Sequence, residues 1–216
     1  IYRYASEHFL RIAVETNGTL QPEGIWDAFR EKPPEIVSLS LDSHDEDTHD
    51  AFRGRKGSWR LTCDFLRKLV DHGIHNQIIM SVTENDKRAV ERMAALAQKL
   101  GNRNLRINLV TPSGRGVSNS FYGNVSTADT IDFFKWIFGS LPEWVSVAAP
   151  PALVPLKRLK TLGYCPVKNL MGVLPDGSFS LCGVAFNRES MKWGRYPETS
   201  LTEAWNNSPV LQSIRE

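Results

Sequence analysis

Five short runs of apolar and β-branched residues alternate with helical patterns along most of the chain. The runs occupy 10–16, 36–41, 77–82, 105–110 and 145–149. Asn, Gly, Pro or Asp bound each run, and these residues are typical of turns. A strand, a helix and a further strand in succession predict βαβ units with parallel strands. The sequence therefore predicts an α/β fold around a parallel sheet that is either open or closed into a barrel.

The helical segments each carry one apolar stripe that can pack on such a sheet. Ser58 is the predicted N-cap of the first stripe, and Gly73 and Gly101 are the predicted ends of the first and second helices. Ser126 and Asp129 form a capping box before a third apolar stretch. The first stripe consists of Trp59, Thr62, Cys63, Leu66, Leu69 and Val70.

Composition narrows the class of protein. The chain has 216 residues, 41% apolar content and a net charge of +2, which is enough for one core and gives no basic patch for nucleic acid. Its longest apolar runs have strand length, and no signal-peptide pattern opens it. We therefore expect a cytoplasmic protein that binds neither nucleic acid nor membrane.

Both ends of the sequence fall inside regular patterns. Ile1 opens a helical pattern that runs directly into the first strand, and the last residues, 200–216, form a helical pattern without a closing turn. We therefore expect the sequence to be part of a longer protein.

The composition of the chain changes near Pro150. The Pro-rich segment APPALVPLKRLKTLG is predicted to be a linker, which divides the chain into domains at 1–150 and 151–216. Beyond it, Pro-Asp-Gly separates runs at 171–174 and 178–181, a pattern that predicts a β-hairpin. Cys165 and Cys182 bracket this hairpin. They are either ligands of a metal or cluster, or two unrelated core thiols.

Polar segments follow four of the predicted strands. They are TNG, the long run DSHDEDTHDAFRGRKGSW, TEND and TPSGRG. Ligands of parallel α/β proteins collect at the carboxyl ends of strands, because free backbone groups and helix N-termini meet there. The four segments together predict one binding rim.

The order of the segments TNGTL, SLSLDSHDEDTHDAFRGRKGSW, SVTEND, LRINLVTPSGRG and CPVKNLMGVLPDGSFSLC resembles that of radical S-adenosylmethionine (SAM) enzymes that carry a SPASM or twitch extension. Eleven residues separate Cys165 from Gly177 and four separate Gly177 from Cys182, as at the opening of that extension's cysteine pattern. The resemblance implies a partial (β/α)6 barrel followed by the start of a SPASM or twitch module. It also implies that Cys165 and Cys182 ligate an auxiliary iron–sulfur cluster.

The resemblance also implies where SAM binds. Ser40 and Asp42 would face the ribose or the methionyl group, Arg53 would meet the cofactor's carboxylate, and the segment 110–112 would contact adenine. The alternative for Arg53 is a surface salt bridge with Asp45 or Asp47. The full expected set is Thr16, Asn17, Ser40, Asp42, Arg53, Ser81, Val110, Thr111 and Pro112. No catalytic residue is identified.

The implied activity is that of a radical SAM oxidoreductase, in which a 5′-deoxyadenosyl radical abstracts hydrogen from a peptide or small-molecule substrate. The family's CxxxCxxC motif for the catalytic [4Fe-4S] cluster does not occur in the sequence. Expected roles are maturation of a ribosomally made peptide or protein, or cofactor biosynthesis of the pyrroloquinoline quinone or haem type, with flavodoxin or ferredoxin as reductant. The alternative is a non-catalytic barrel that serves as a scaffold or binding module, with zinc at Cys165 and Cys182.

Three other features have structural interpretations. His49 and Asp50 are predicted to brace the turn that follows them, and Cys63 is predicted to lie in the core. The acidic run 42–50 lacks the turn glycine and the terminal glutamate of a calcium loop, so it does not predict calcium binding.

Overall fold

A computed structural model of the chain describes residues 1–9, 11–83, 85–110, 126–148, 154–155, 167–182 and 188–216. The chain divides into two compact units, Ile1–Leu159 and Lys160–Glu216. The first contains β1 to β5 and α1 to α6, and the second contains β6 to β8, α7 and α8. The strands are β1 Ala13–Thr16, β2 Ile36–Ser40, β3 Asn76–Val82, β4 Leu105–Leu109, β5 Val145–Ala148, β6 Gly172–Val173, β7 Ser178–Ser180 and β8 Lys192–Arg195. The helices are α1 Tyr2–His8, α2 Ile25–Glu31, α3 Glu46–Arg53, α4 Ser58–Asp71, α5 Lys87–Lys99, α6 Thr127–Ser140, α7 Leu201–Asn207 and α8 Pro209–Arg215.

The first unit is built on a five-stranded sheet in the order β1-β2-β3-β4-β5. All four neighbouring pairs are parallel, which confirms the predicted α/β class. The strands begin and end close to the predicted positions. Neighbouring strands are consecutive in the chain, so their carboxyl ends lie along one edge of the sheet in sequence order.

The two faces of this sheet differ in chemistry. The outer face is apolar and packs with the helices in one core; its strand residues include Val37, Leu39, Ile78, Met80, Leu105, Ile107 and Val145. Helix residues such as Leu66, Met93 and Phe133 complete that core. Alternation along each strand places the intervening residues on the opposite, inner face. The inner face comprises Glu15, Ser38, Ser40, Gln77, Ile79, Ser81, Arg106, Asn108 and Ser146, none of which belongs to the core.

The helix termini agree with the sequence in three cases and differ in one. Ser126 Oγ accepts the Asp129 N–H and donates to its carboxylate, which confirms the capping box. Gly73 and Gly101 adopt φ 66° and φ 78° just after the C-caps of α4 and α5, as helix stops require. The prediction that Ser58 is the N-cap of α4 is wrong. Gly57 is the N-cap, and Ser58 is the first helical residue because its hydroxyl donates to Asp50.

Cys63 lies in the core, as predicted. Its side chain on α4 is fully buried among outer-face residues. Burial raises the pKa of its thiol to about 12. Cys63 is therefore a packing residue that stays protonated, which excludes it as a ready metal ligand.

The second unit contains a small antiparallel sheet in the order β6-β7-β8. The pairing of β6 with β7 confirms the predicted hairpin, and β8 adds a third strand that the sequence did not indicate. Phe179 of β7 is fully buried, and Trp193 of β8 donates its indole N–H to the Ala204 carbonyl of α7 at 2.9 Å. The unit therefore has a core of its own formed by strands and helix.

None of the helices within the described ranges is both long and apolar enough to span a bilayer.

Candidate functional site

The carboxylate of Asp42 connects three elements where β2 ends. Its Oδ2 accepts from Arg53 Nε of α3 at 2.5 Å, and its Oδ1 accepts the Ser81 backbone N–H of β3 at 3.0 Å. The Asp42 side chain is 3% exposed, whereas that of Arg53 is 30% exposed. Arg53 thus pairs with Asp42, rather than with Asp45 or Asp47. The pair holds the guanidinium at the rim with part of its surface open to solvent.

His49 holds the backbone of Asp42 in place through a hydrogen bond. Its buried Nδ1 accepts the Asp42 backbone N–H at 3.2 Å and lies 3.7 Å from the Asp42 carboxylate. Burial lowers the pKa of His49, and the nearby Asp42 charge opposes this only in part. The ring is therefore a neutral acceptor that braces the end of β2.

Asp50 organises the turn between α3 and α4. Its carboxylate accepts from the backbone N–H of Gly57, from Ser58 Oγ and from the backbone N–H of Trp59. Burial acts to raise the pKa of Asp50, but these hydrogen bonds outweigh it and the pKa is lowered. The predicted bracing role of Asp50 is confirmed.

Four expected SAM contacts lie along adjacent strand ends. Ser40 and Ser81 lie on the inner face of β2 and β3, and Asp42 follows the end of β2 by two residues. Val110 follows β4 and donates its N–H to the Val82 carbonyl at 2.9 Å. The structure therefore brings Ser40, Asp42, Ser81 and Val110 to one edge, with Arg53 attached through Asp42.

Thr16 and Asn17 form a turn after β1. Thr16 Oγ1 accepts the Gly18 N–H at 3.1 Å, and Asn17 Oδ1 accepts the N–H and hydroxyl of Thr19 at 3.1 and 3.0 Å. Gly18 has φ 70°, and a Cβ there would lie 3.0 Å from Leu39. The oxygen acceptors of Thr16 and Asn17 are thus committed to the turn. Thr16 also shares the face of Val14, which packs against the core.

Of the four remaining expected residues, the structure describes only Cys182. Thr111, Pro112 and Cys165 lie outside the described residues. Cys182 follows β7 as a free, half-buried thiol. No group of three or more potential metal-ligating side chains occurs within the ranges that the structure covers.

A cavity of ≈ 330 Å³ opens between the ends of β2 and β3 and the helices α3 and α5. Asp42 and Ser81 line it, whereas Ser40 and Arg53 do not. Asp86 also lines it and caps α5, accepting the N–H groups of Arg88 and Ala89 at 2.9 and 3.1 Å. The complete lining is Asp42, Ser43, Thr48, Ala51, Phe52, Met80, Ser81, Val82, Thr83, Asp86 and Ala89.

Two residues that were not among the expected SAM contacts, His44 and Asn85, carry buried polar atoms without partners. Among the described residues, neither polar atom of the Asn85 amide forms a hydrogen bond, and the same holds for His44 Nδ1. Buried polar groups in folded proteins are almost always paired, so these atoms are candidates for ligand contacts. Their position in the sequence could have identified them, because both residues lie in polar segments that follow strands.

The Radical SAM superfamily model matches residues 1–97, which include β1, β2, β3 and most of α5. This match confirms the resemblance drawn from the sequence and identifies the segment as radical SAM.

Curated proteins with similar sequences include a bacteriocin biosynthesis protein and heme synthases. Over 117 residues the chain is 39% identical to the antilisterial bacteriocin subtilosin biosynthesis protein AlbA of Bacillus subtilis, covering 54% of this chain and 26% of that protein. It is 24% identical to the AdoMet-dependent heme synthase of Methanosarcina barkeri, covering 100% of this chain and 66% of that protein. The chain thus spans between 26% and 66% of the length of these two relatives.

Solved structures share the fold. SuiB of Streptococcus suis bound to precursor peptide SuiA has a TM-score of 0.74 at 12% identity, over 100% of this chain and 52% of that one. The anSMEcpe structure with bound AdoMet has a TM-score of 0.67 at 18% identity, over 94% and 58%. At these identities the likeness shows the fold alone, and it confirms the partial (β/α) barrel.

Proposed function

We propose that this chain is part of a radical SAM enzyme that binds SAM along the carboxyl ends of β2, β3 and β4 and acts in the maturation of a ribosomally made peptide. The observation that carries the proposal is the contiguous placement of Ser40, Asp42, Ser81 and Val110, with Arg53 attached through Asp42. These groups converge at one edge although 70 positions separate the first from the last.

The residues present fit the chemistry of SAM. Arg53 uses its Nε for Asp42, and the rest of its planar fork suits the cofactor's carboxylate. The hydroxyls of Ser40 and Ser81 suit the ribose, and the amide of Asn85 offers buried donors and an acceptor that still need partners. When bound to a reduced cluster, SAM supplies the 5′-deoxyadenosyl radical that abstracts hydrogen. The work of this chain's own residues is to orient the cofactor and to exclude water.

The cysteines of this sequence do not fit the catalytic cluster. The sequence has three cysteines and no CxxxCxxC motif, and Cys63 is buried in the core. We therefore derive no step through that cluster. We propose that Cys182, together with Cys165, ligates an auxiliary iron–sulfur cluster in the second unit as a SPASM or twitch module. The half-buried thiol of Cys182 supports this role, since a ligand must be reachable.

Peptide maturation is the preferred role because the relative with 39% identity, AlbA, acts in bacteriocin biosynthesis. Cofactor biosynthesis remains the second candidate, since the heme synthases are 24% to 30% identical to the chain. The further proposals are a cytoplasmic location and reduction by flavodoxin or ferredoxin.

The test is equilibrium binding of SAM to the full chain, with S-adenosylhomocysteine as a competing ligand. Arg53→Ala and Ser40→Ala should weaken binding about tenfold or more, because each removes a contact to a polar group of the cofactor. Arg67→Ala is the matched control, since Arg67 lies on the exposed side of α4 and pairs only with Asp64 among described residues.

Binding that is equal in wild type, Arg53→Ala and Ser40→Ala would remove this rim as the cofactor site. A wild-type protein that binds no SAM would favour a non-catalytic scaffold.

A further inference from the structure

Arg106 places a charged group on the inner face of the sheet. It is exposed, whereas its neighbours Leu105 and Ile107 are fully buried in the core on the outer face. Within the described residues its guanidinium forms a single hydrogen bond, from Nε to Asn108 Oδ1 at 3.4 Å. No carboxylate of those residues pairs with it. The four N–H donors of its Nη1 and Nη2 therefore have no acceptor among the described residues.

The surroundings of Arg106 are those of a small polar site. Asn108 lies two residues further along the same strand and holds the guanidinium through its Nε. Ser146 of β5 is the direct cross-strand partner of Arg106, is exposed, and donates its hydroxyl proton to the Leu105 carbonyl at 3.4 Å. Ile79 of β3 is the partner on the other side and supplies an apolar wall. The guanidinium is therefore flanked by an amide, a hydroxyl and an aliphatic side chain.

A carboxylate matches this arrangement. Its two oxygens accept the parallel N–H pairs that a planar guanidinium fork presents. The charges also match, because one guanidinium balances one carboxylate. A phosphate dianion would leave a negative charge uncompensated at this position.

The site lies close to the proposed cofactor edge. Ser40, Ile79, Arg106 and Ser146 occupy one cross-strand row. Two strand spacings therefore separate Ser40 from Arg106, or about 10 Å between backbones. An extended peptide advances about 3.3 Å per residue. A carboxylate at Arg106 would thus lie about three residues from a substrate atom that is near Ser40.

We propose that Arg106, held by Asn108 and flanked by Ser146, binds an acidic side chain of the peptide substrate within about three residues of the modified position. This inference rests on the proposed function and adds a charge requirement for the substrate. Arg106 is a substrate-binding residue in this proposal and does not act on the cofactor.

The test is selection of short random peptides by messenger-RNA display on the immobilised full chain, with wild type, Arg106→Gln and the control Arg67→Gln compared. Wild type and Arg67→Gln should enrich Asp or Glu at one position, and Arg106→Gln should not. For a selected peptide made synthetically, Glu→Gln should weaken wild-type binding about tenfold and binding to Arg106→Gln by less than about twofold. Arg106→Lys should give an intermediate loss, because it keeps the charge without the fork.

The selection and the synthetic peptides each have an outcome that would overturn the proposal. Wild-type selection without acidic enrichment, or equal enrichment by Arg106→Gln, would overturn the proposal. Synthetic peptides with amidated and free C-termini distinguish a side-chain carboxylate from a chain end; preference for the free end would overturn the side-chain assignment. SAM binding to the same preparation separates failure of this proposal from failure of the proposed function.

Discussion

At the scale of single residues, the carboxylate of Asp42 determines how the rim is organised. It joins Arg53 of α3 and the backbone of Ser81 to the end of β2, and His49 fixes its own N–H. Removing one partner of a buried ion pair destabilises a protein more than removing one partner of an exposed pair. The stability of the rim should therefore depend strongly on this side chain.

We expect Asp42→Asn to lower the free energy of unfolding by about 1–3 kcal/mol, because the new amide cannot neutralise Arg53. The control is Asp27→Asn, whose exposed pair with Arg30 should contribute less than about 1 kcal/mol. Urea denaturation of the full chain measures both. Equal, small effects would show that the Asp42–Arg53 pair is no more important than a surface pair.

His49 should make stability depend on pH. Its pKa in the folded state lies below the ordinary value of 6.5, so the unfolded chain takes up the proton first. Its contribution is therefore present above pH 6.5 and is lost as the pH falls toward the folded-state pKa. His49→Asn keeps an acceptor for the Asp42 N–H and removes the titration.

We expect the urea midpoint of the wild type to decrease more between about pH 8 and about pH 5 than that of His49→Asn. His75→Asn is the control, since His75 is exposed, and it should follow the wild type. A wild-type decrease that persists in His49→Asn would assign the dependence to other groups.

Sequence reasoning at this scale identified Arg53 but not its partner. Asp45 and Asp47 are nearer in the chain, yet helix formation from Glu46 directs Asp45 to the Thr48 N–H as N-cap. Asp42 becomes the partner because α3 folds back over the end of β2, which is a tertiary effect. The unpaired Asn85 amide is likewise visible only when the surrounding atoms are placed.

At the scale of elements, apolar periodicity located the five parallel strands because each has one buried face and short turn-rich ends. Helix α3 and strand β8 are among the elements that it did not locate. Helix α3 arises from an acidic run whose signals are caps, Asp45 before it and Gly54 after it. Strand β8 has few apolar residues and is held by its pairing with β7 and by Trp193.

The capping box of α6 gives a test at this scale. Ser126→Ala removes the acceptor of the Asp129 N–H and should cost about 1 kcal/mol of unfolding free energy. Ser140→Ala at the exposed end of the same helix should change it by less than about 0.5 kcal/mol. Urea unfolding followed by circular dichroism provides the comparison. A Ser126→Ala chain as stable as the control would mean that packing alone holds the helix.

At the scale of the whole molecule, the second unit should carry metal if it is an auxiliary-cluster module. In the full-length protein purified without oxygen, Cys182→Ala should lower the iron and sulfide content by one cluster, because a thiolate ligand is lost. Cys63→Ala should leave both unchanged, since that thiol is buried. Iron and sulfide analysis with visible absorption measures the difference. A Cys182→Ala protein with wild-type iron content would exclude Cys182 as a ligand.

The order of the parallel sheet has a consequence for assembly. Within the described part of the chain, the sheet ends at β1 on one side and at β5 on the other. The side of β1 remote from β2 presents main-chain donors and acceptors that any extended segment of matching direction can satisfy. Continuation of the sheet there would extend its inner face and bring a new neighbour beside Glu15.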